Sequence, residues 1–157
     1  MTNPVRLLLR IPVPWVFVLT YLLGVALEYA IPLRLTPPLR QSSLVLAGGV
    51  LFAIGAVVAG WSWTLFHRAR TTRVPGQLST ALITSGPFRA TRNPMYVGLA
   101  LAYLGEAGML RQLWPVLLLP FLAAYLNWVV VPLEEARLRD VFASTYEAYC
   151  RKVRRWL

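Results

Sequence analysis

Four long apolar segments, separated by short polar stretches, set the pattern of this chain. The second and fourth carry no charged side chain, whereas the first carries only Glu28 and the third only Glu106. A bilayer core is crossed by about 20 helical residues, so the pattern predicts four transmembrane helices. The segments cover residues 14–32, 43–66, 94–110 and 113–133.

The spacing of these segments predicts how they connect. Only Arg111 and Gln112 separate the third segment, which is marginal in length for a span, from the fourth, so these two form a close helical hairpin. The first segment follows Arg6 and Arg10, as in a signal peptide, but it is longer than the apolar region of such a peptide and lacks a small-residue cleavage site. We therefore expect it to be kept as a helix.

The tail has a different pattern, in which apolar residues recur at helical spacing with Arg, Glu and Lys between them. This is typical of a basic amphipathic helix lying on a membrane surface, although the cluster at 151–155 could instead be only an anchor for anionic lipid. The chain is thus predicted to be all-α: a polytopic membrane protein with four transmembrane helices and a C-terminal amphipathic surface helix. The apolar positions are Leu138, Val141, Phe142, Tyr146, Tyr149, Val153 and Trp156.

Composition supports a membrane protein. Apolar residues make up 57% of the chain and charged residues 14%, against about half and about a quarter in soluble domains. The net charge of +10 would suit nucleic acid, but the charges lie almost wholly outside the apolar segments, which favours a membrane over a nucleic-acid partner. Cys150 is the single cysteine, so neither an internal disulfide nor a cysteine metal pair is expected.

The basic residues also predict an orientation. Thirteen of the sixteen Lys and Arg residues fall on one side if the amino terminus, the 67–93 loop and the tail share that side. The positive-inside rule makes that side cytoplasmic, with both termini there, in a plasma or inner membrane. Glu28 and Glu106 then lie towards the outer ends of their helices, either reaching the outer interface or acting as functional intramembrane carboxylates.

We expect one integral membrane domain, 1–157, with four parts. These are two N-terminal membrane helices (1–66), a cytoplasmic cofactor loop (67–93), a helical hairpin (94–133) and a cytoplasmic tail (134–157).

Two polar stretches flank the predicted hairpin. Each has an ordinary structural explanation: Asn93-Pro94 is a good helix start, and Glu134-Glu135 suits the amino-terminal end of a helix dipole. The first stretch reads Gly86-Pro87-Phe88-Arg89-Ala90-Thr91-Arg92-Asn93-Pro94-Met95-Tyr96-Val97-Gly98, and the second reads Glu134-Glu135-x-x-Leu138-x-x-x-Phe142-x-x-x-Tyr146-x-x-Tyr149-x-x-x-Val153.

Together the two stretches closely resemble the paired signatures of the isoprenylcysteine carboxyl methyltransferase and phospholipid methyltransferase superfamily, whose first signature is Gly-Pro-Tyr-x-x-x-Arg-His-Pro-x-Tyr-x-Gly. The resemblance implies an integral membrane methyltransferase that binds S-adenosylmethionine on its cytoplasmic side. It implies catalytic roles for Asn93, Tyr96 and Glu134. It implies cofactor contacts from Arg73, Thr80, Ala81, Leu82, Ile83, Phe88, Arg92, Asn93, Pro94, Met95, Tyr96, Glu134 and Glu135.

Physical chemistry makes such a site reasonable. The cofactor's carboxylate would suit an arginine or the free N–H groups at the helix start, and its ammonium or ribose hydroxyls would suit Glu134. Tyr96 and Phe88 could pack on the adenine or face the sulfonium. Methyl transfer is an in-line displacement, so catalysis is mostly alignment in a water-poor site, and no metal is implied.

Two positions depart from the resemblance. Asn93 stands where the family usually has histidine, and asparagine cannot take up a proton near neutral pH. Val130 stands where the prenylcysteine enzymes carry an arginine for the substrate carboxylate, which weakens the case for a prenylcysteine specifically. The acceptor is expected to be an unidentified lipophilic molecule, either isoprenylcysteine carboxylate-like (prenylated) or lipid-like. The alternatives are a small reductase of the related sterol-reductase group using NADPH, a transporter or scaffold, and a family member that binds cofactor without turnover.

Overall fold

The computed structural model describes residues 11–33, 41–69 and 81–157, and it is all-helical there. Helices account for 83% of these residues, with no strand among them, which confirms the all-α prediction. The elements are α1 (Val13–Ala30), α2 (Gln41–Arg68), a 3-10 turn (Gly86–Arg89), α3 (Pro94–Leu110), α4 (Leu113–Tyr125), a π-helical segment (Leu126–Val130) and α5 (Val131–Lys152).

Three helical stretches are long and apolar enough to cross a membrane: Val13–Ala30, Ser42–Arg68 and the continuous stretch Leu113–Lys152. Helix α3 has 17 residues, slightly short for a span, so the count of four transmembrane helices stays a prediction. Large apolar side chains cover the outside, and Phe121 and Trp128 are each 74% exposed. Such a surface suits lipid rather than water.

Helices α2 and α3 pack backbone to backbone along a row of glycines. Gly48 faces Gly105, and Gly55 faces Gly98, so the two helices run antiparallel with contacts seven residues apart. A Cβ atom added at Gly98 would lie 2.6 Å from the backbone nitrogen of Ala59, and one added at Gly48 would lie 2.7 Å from the carbonyl oxygen of Gly105. Small residues at this interface therefore set the distance between the two helices.

Gly55→Ala is expected to destabilise the protein by about 1–3 kcal/mol, because the new methyl group would overlap the backbone of Ala102 and Gly98. Gly60→Ala in the same helix is the matched control: a Cβ there meets nothing within 4 Å, so it should be neutral or stabilising by up to about 1 kcal/mol. Unfolding of the two variants in mixed detergent micelles measures the difference. Equal stability would contradict the close packing.

The turn between α3 and α4 is capped by Glu28 of α1. The Glu28 carboxylate accepts the N–H groups of Leu113 and Trp114 at 3.3 and 3.4 Å, and it also accepts the N–H of Leu33 at 3.1 Å. These bonds satisfy free donors at the start of α4. Glu28 therefore binds the hairpin at the end opposite Asn93. This position fits the expectation that Glu28 lies near the outer interface.

The carboxy-terminal half contains one continuous helical stretch, which passes through Glu134, the residue at which the predicted tail begins. It continues from Leu113 to Lys152 through the π segment, which precedes Pro132, a residue with no N–H for the helix ladder. At 40 residues it would be about 60 Å long if straight, twice the thickness of a bilayer core, although it is kinked at Ala143.

The helix ends at Lys152, so Val153 and Trp156 do not lie on the amphipathic helix as their spacing predicted. Instead Trp156 packs against the main apolar core, and its indole N–H donates to the side chain of Asn127 at 2.9 Å. The core is formed by α1, α3, α4, the π segment and the start of α5. Its buried members are Val13, Phe17, Tyr21, Tyr96, Tyr103, Ala107, Leu122, Leu126, Val130 and Val131.

Candidate functional site

The connection into α3 is a compact turn held by aromatic residues. Gly86 begins it with φ +59°, a conformation that favours glycine. Phe88 is buried, meets Phe66 edge-on with ring centroids 5.5 Å apart, and its carbonyl accepts the hydroxyl of Tyr149 at 2.7 Å. The turn is thus fixed against both α2 and α5 before the chain enters α3.

The first turns of α3 and α5 meet through Tyr96 and Glu134. The Tyr96 hydroxyl donates to Oε1 of Glu134 at 2.6 Å, and Tyr96 is 5% exposed. The Asn-Pro turn and the acid pair, which are about forty residues apart in sequence, therefore lie side by side at one end of the hairpin.

Glu135 lies at the centre of a separate ionic cluster. Its carboxylate is buried, with the residue 4% exposed. It accepts two hydrogen bonds from the guanidinium of Arg155, at 2.7 and 3.0 Å, and it contacts Arg92 at 3.3 Å and Arg139 at 3.5 Å. Three cations around one carboxylate leave this part of the site positively charged.

The cluster also affects its arginines. The hydrogen bonds to Glu135 hold the pKa of the Arg155 guanidinium above its usual value. Arg92 donates to the sulfur of Cys150 as well as contacting Glu135, so its side chain is held against α5 at two points. Both arginines are already engaged by protein groups.

The last five residues, 153–157, which we call the C-terminal strap, turn back over the loop before α3. The N–H of Arg92 donates to the carbonyl of Arg154 at 2.9 Å. The Thr91 hydroxyl and the Asn93 side-chain amide both donate to the carbonyl of Arg155, at 2.9 and 3.0 Å. Asn93 is thus fixed by the strap, and its own N–H donates to the Thr91 hydroxyl at 3.2 Å.

The other predicted site residues fall into three groups. Pro94 is fully buried, and Met95 packs against the apolar core. Ala81, Leu82 and Ile83 are half-buried in the chain leading to the turn. Arg73 and Thr80 lie outside the described residues. Val130, which stands where the prenylcysteine enzymes carry an arginine, is buried within the core and 2% exposed.

Sequence reasoning gave no site role to Thr91, Asn127 or Arg155. Asn127 had a usable signal, since it is the sole amide side chain in the apolar segment 113–133. Thr91 stood inside the first signature but at a variable position. Arg155 had no signal, because nothing in the sequence separates it from the neighbouring basic residues that point outward.

The polar and aromatic groups at this end of the molecule are chemically suited to S-adenosylmethionine, the ligand that the sequence resemblance implies. The Glu134 carboxylate, the Tyr96 and Phe88 rings and the first N–H groups of α3 are the kinds of group that match an ammonium, a planar base and a carboxylate. Among residues 11–33, 41–69 and 81–157, no group of three or more His, Cys, Asp and Glu side chains could hold a metal.

Comparison with known proteins decides the family. A profile described as phospholipid methyltransferase matches residues 44–145, well over half of the chain. The chain belongs to the phospholipid methyltransferase family. Membership points to a membrane methyltransferase, and the three long apolar helices fit an integral membrane protein. Neither curated proteins nor solved structures gave a significant match.

The matched region of this family member contains most of the candidate site. It begins within α2, includes the turn, α3 and α4, and ends in α5 after Glu134 and Glu135. The strap, which contacts Thr91, Arg92 and Asn93, lies beyond the matched residues.

Proposed function

We propose that the protein transfers a methyl group from S-adenosylmethionine to a lipophilic acceptor at the cytoplasmic face of a membrane. The observation that supports this most directly is the Tyr96–Glu134 hydrogen bond, because it joins the two stretches that resemble the family's signatures. When bound, S-adenosylmethionine would supply an electrophilic methyl group on a sulfonium.

The roles of the residues follow from their chemistry. Tyr96 fixes one oxygen of Glu134, and the remaining oxygen is the acceptor we assign to the cofactor's ammonium or ribose. The cofactor carboxylate is assigned to the N–H groups of Met95 and Tyr96, which lie in the first turn of α3 and have no carbonyl one turn earlier within the helix. Phe88 and Tyr96 supply the aromatic surfaces.

The chain's contribution to catalysis is alignment. Buried Tyr96, half-buried Glu134 and the apolar residues around Tyr96 would limit the access of water and hold charged groups in place, which is what an in-line displacement needs. The exposed apolar surface of the helices would let a lipid-soluble acceptor reach this end from the bilayer. Methyl transfer to a carboxylate needs no general base, and Asn93 would supply none.

Calorimetry on detergent-purified protein tests the proposal, with S-adenosylmethionine and NADPH as parallel ligands. Binding of S-adenosylmethionine, followed by transfer of its labelled methyl group to a lipid-soluble product in extracted membranes, is the expected result. Binding of NADPH alone would favour the reductase. No binding of either ligand by folded protein would favour a transporter or scaffold.

Asn93→His is expected to preserve or improve the affinity for S-adenosylmethionine. An imidazole N–H can replace the Asn93 amide as donor to the Arg155 carbonyl, a hydrogen bond worth about 1 kcal/mol. Asn93→Leu, of similar size but without a donor, is the control and should bind more weakly. If the histidine variant loses binding while its helix content is unchanged, the alignment of this turn with the family signature is wrong.

A further inference from the structure

The C-terminal strap joins three parts of the candidate site that are otherwise separate. It leaves α5 at Val153, whose backbone is extended (φ −127°, ψ 132°), and returns towards the turn before α3. Four groups of the strap make its contacts: the carbonyls of Arg154 and Arg155, the guanidinium of Arg155 and the indole of Trp156.

The backbone contacts fix the entry to α3. Arg92 and Asn93 directly precede the first helical residue, and each is hydrogen-bonded to a strap carbonyl. Thr91 shares the Arg155 carbonyl with Asn93. Three consecutive loop residues therefore each donate a hydrogen bond to one of two consecutive strap carbonyls, directly before α3 starts.

The side-chain contact fixes the strap to α5 beside the site. Arg155 binds the buried Glu135 with two parallel hydrogen bonds, a geometry that lysine cannot reproduce. Glu135 adjoins Glu134, and the same carboxylate contacts Arg92 of the loop. One buried carboxylate thus ties the strap, the loop and α5 together next to the Tyr96–Glu134 pair.

A second anchor lies on the other side of Glu134 along the helix. The Trp156 indole donates to Asn127 in the π segment, seven residues before Glu134. Two turns of helix around Glu134 are therefore bracketed by strap contacts, at Asn127 and at Glu135.

From these contacts we infer that Arg155 is a positioning residue: by binding Glu135 it seats the strap, and the seated strap holds the start of α3 so that Tyr96 meets Glu134. Glu135 on this account is an anchor and not a ligand of the cofactor. The effect on S-adenosylmethionine rests on the proposed function, whereas the effect on the loop does not.

The test compares Arg155→Ala, Arg155→Lys and the control Arg154→Ala, which keeps its carbonyl and loses only an exposed side chain. Hydrogen exchange of peptides covering residues 86–98 is measured without ligand. Arg155→Ala should exchange faster there, with Arg155→Lys intermediate and Arg154→Ala like the unchanged protein. Unchanged exchange in Arg155→Ala would overturn the strap's hold on the loop.

Methyl transfer is the second readout. Arg155→Ala should raise KM for S-adenosylmethionine about tenfold with kcat changed little, and Arg155→Lys should recover part of the loss. A merely structural role would lower the active fraction, so that kcat falls at constant KM. Either that result, or an unchanged KM together with faster hydrogen exchange, would overturn the positioning role. If the unchanged protein binds no S-adenosylmethionine, the proposed function fails. The exchange data still decide whether the strap holds the loop before α3.

Discussion

Glu134→Gln is expected to lower the affinity for S-adenosylmethionine at least about a hundredfold while the protein stays folded. Glutamine keeps a side-chain oxygen that can accept the Tyr96 hydroxyl, now at 2.6 Å from Glu134. It loses the negative charge that we assign to holding the cofactor's ammonium or ribose. The substitution therefore separates ligand binding from packing, and calorimetry together with circular dichroism measures the two.

Glu147→Gln is the matched control for this change, since Glu147 is an exposed acid on the same helix. It should leave both affinity and helix content as they are. If Glu134→Gln binds S-adenosylmethionine as tightly as the unchanged protein, Glu134 does not belong to the cofactor site and the assigned roles fail.

Glu135→Ala should have a different effect, a loss of about 3 kcal/mol in the free energy of unfolding. Removing this buried carboxylate leaves Arg92, Arg139 and Arg155 without their shared counter-charge. The value is at the lower end for breaking a buried ion pair, because the Arg139 and Arg155 side chains are 52% and 33% exposed. Unfolding in mixed micelles measures it.

The control is Asp140→Ala, which removes an exposed acid from the same helix and should change stability by less than about 0.5 kcal/mol. A Glu135→Ala variant that keeps full stability but cannot bind S-adenosylmethionine would show that Glu135 contacts the ligand directly. That outcome would also remove the basis for the role inferred for Arg155.

Sequence periodicity located the hairpin well because its signals are local. Apolar runs of this length with at most one charged residue are typical of membrane helices, and two polar residues suffice for the turn at Arg111 and Gln112, between the end of α3 and the start of α4. The pairing of the two signatures could also be anticipated, since a hairpin returns the chain to the side from which it left. Tyr96 and Glu134 lie at that side.

The sequence did not predict that the two adjacent acids, Glu134 and Glu135, would contact different residues. Successive residues on a helix point about 100° apart, so Glu134 faces Tyr96 while Glu135 faces the arginines. The sequence carries no sign of which face meets which partner. The helix end at Lys152 was hidden too, because helical spacing persists to Trp156 and no glycine or proline marks the stop.

The glycine contacts between α2 and α3 restrict how a bulky hydrocarbon chain could approach the site. Where even one methyl group would collide with backbone atoms, as at Gly55 and Gly98, an acyl or prenyl tail has no passage. Parting these two helices would also break most of their shared surface. On the proposed function, a lipophilic acceptor would therefore enter along another side of the helix bundle, and labelling with photoreactive lipid probes should mark side chains away from this contact.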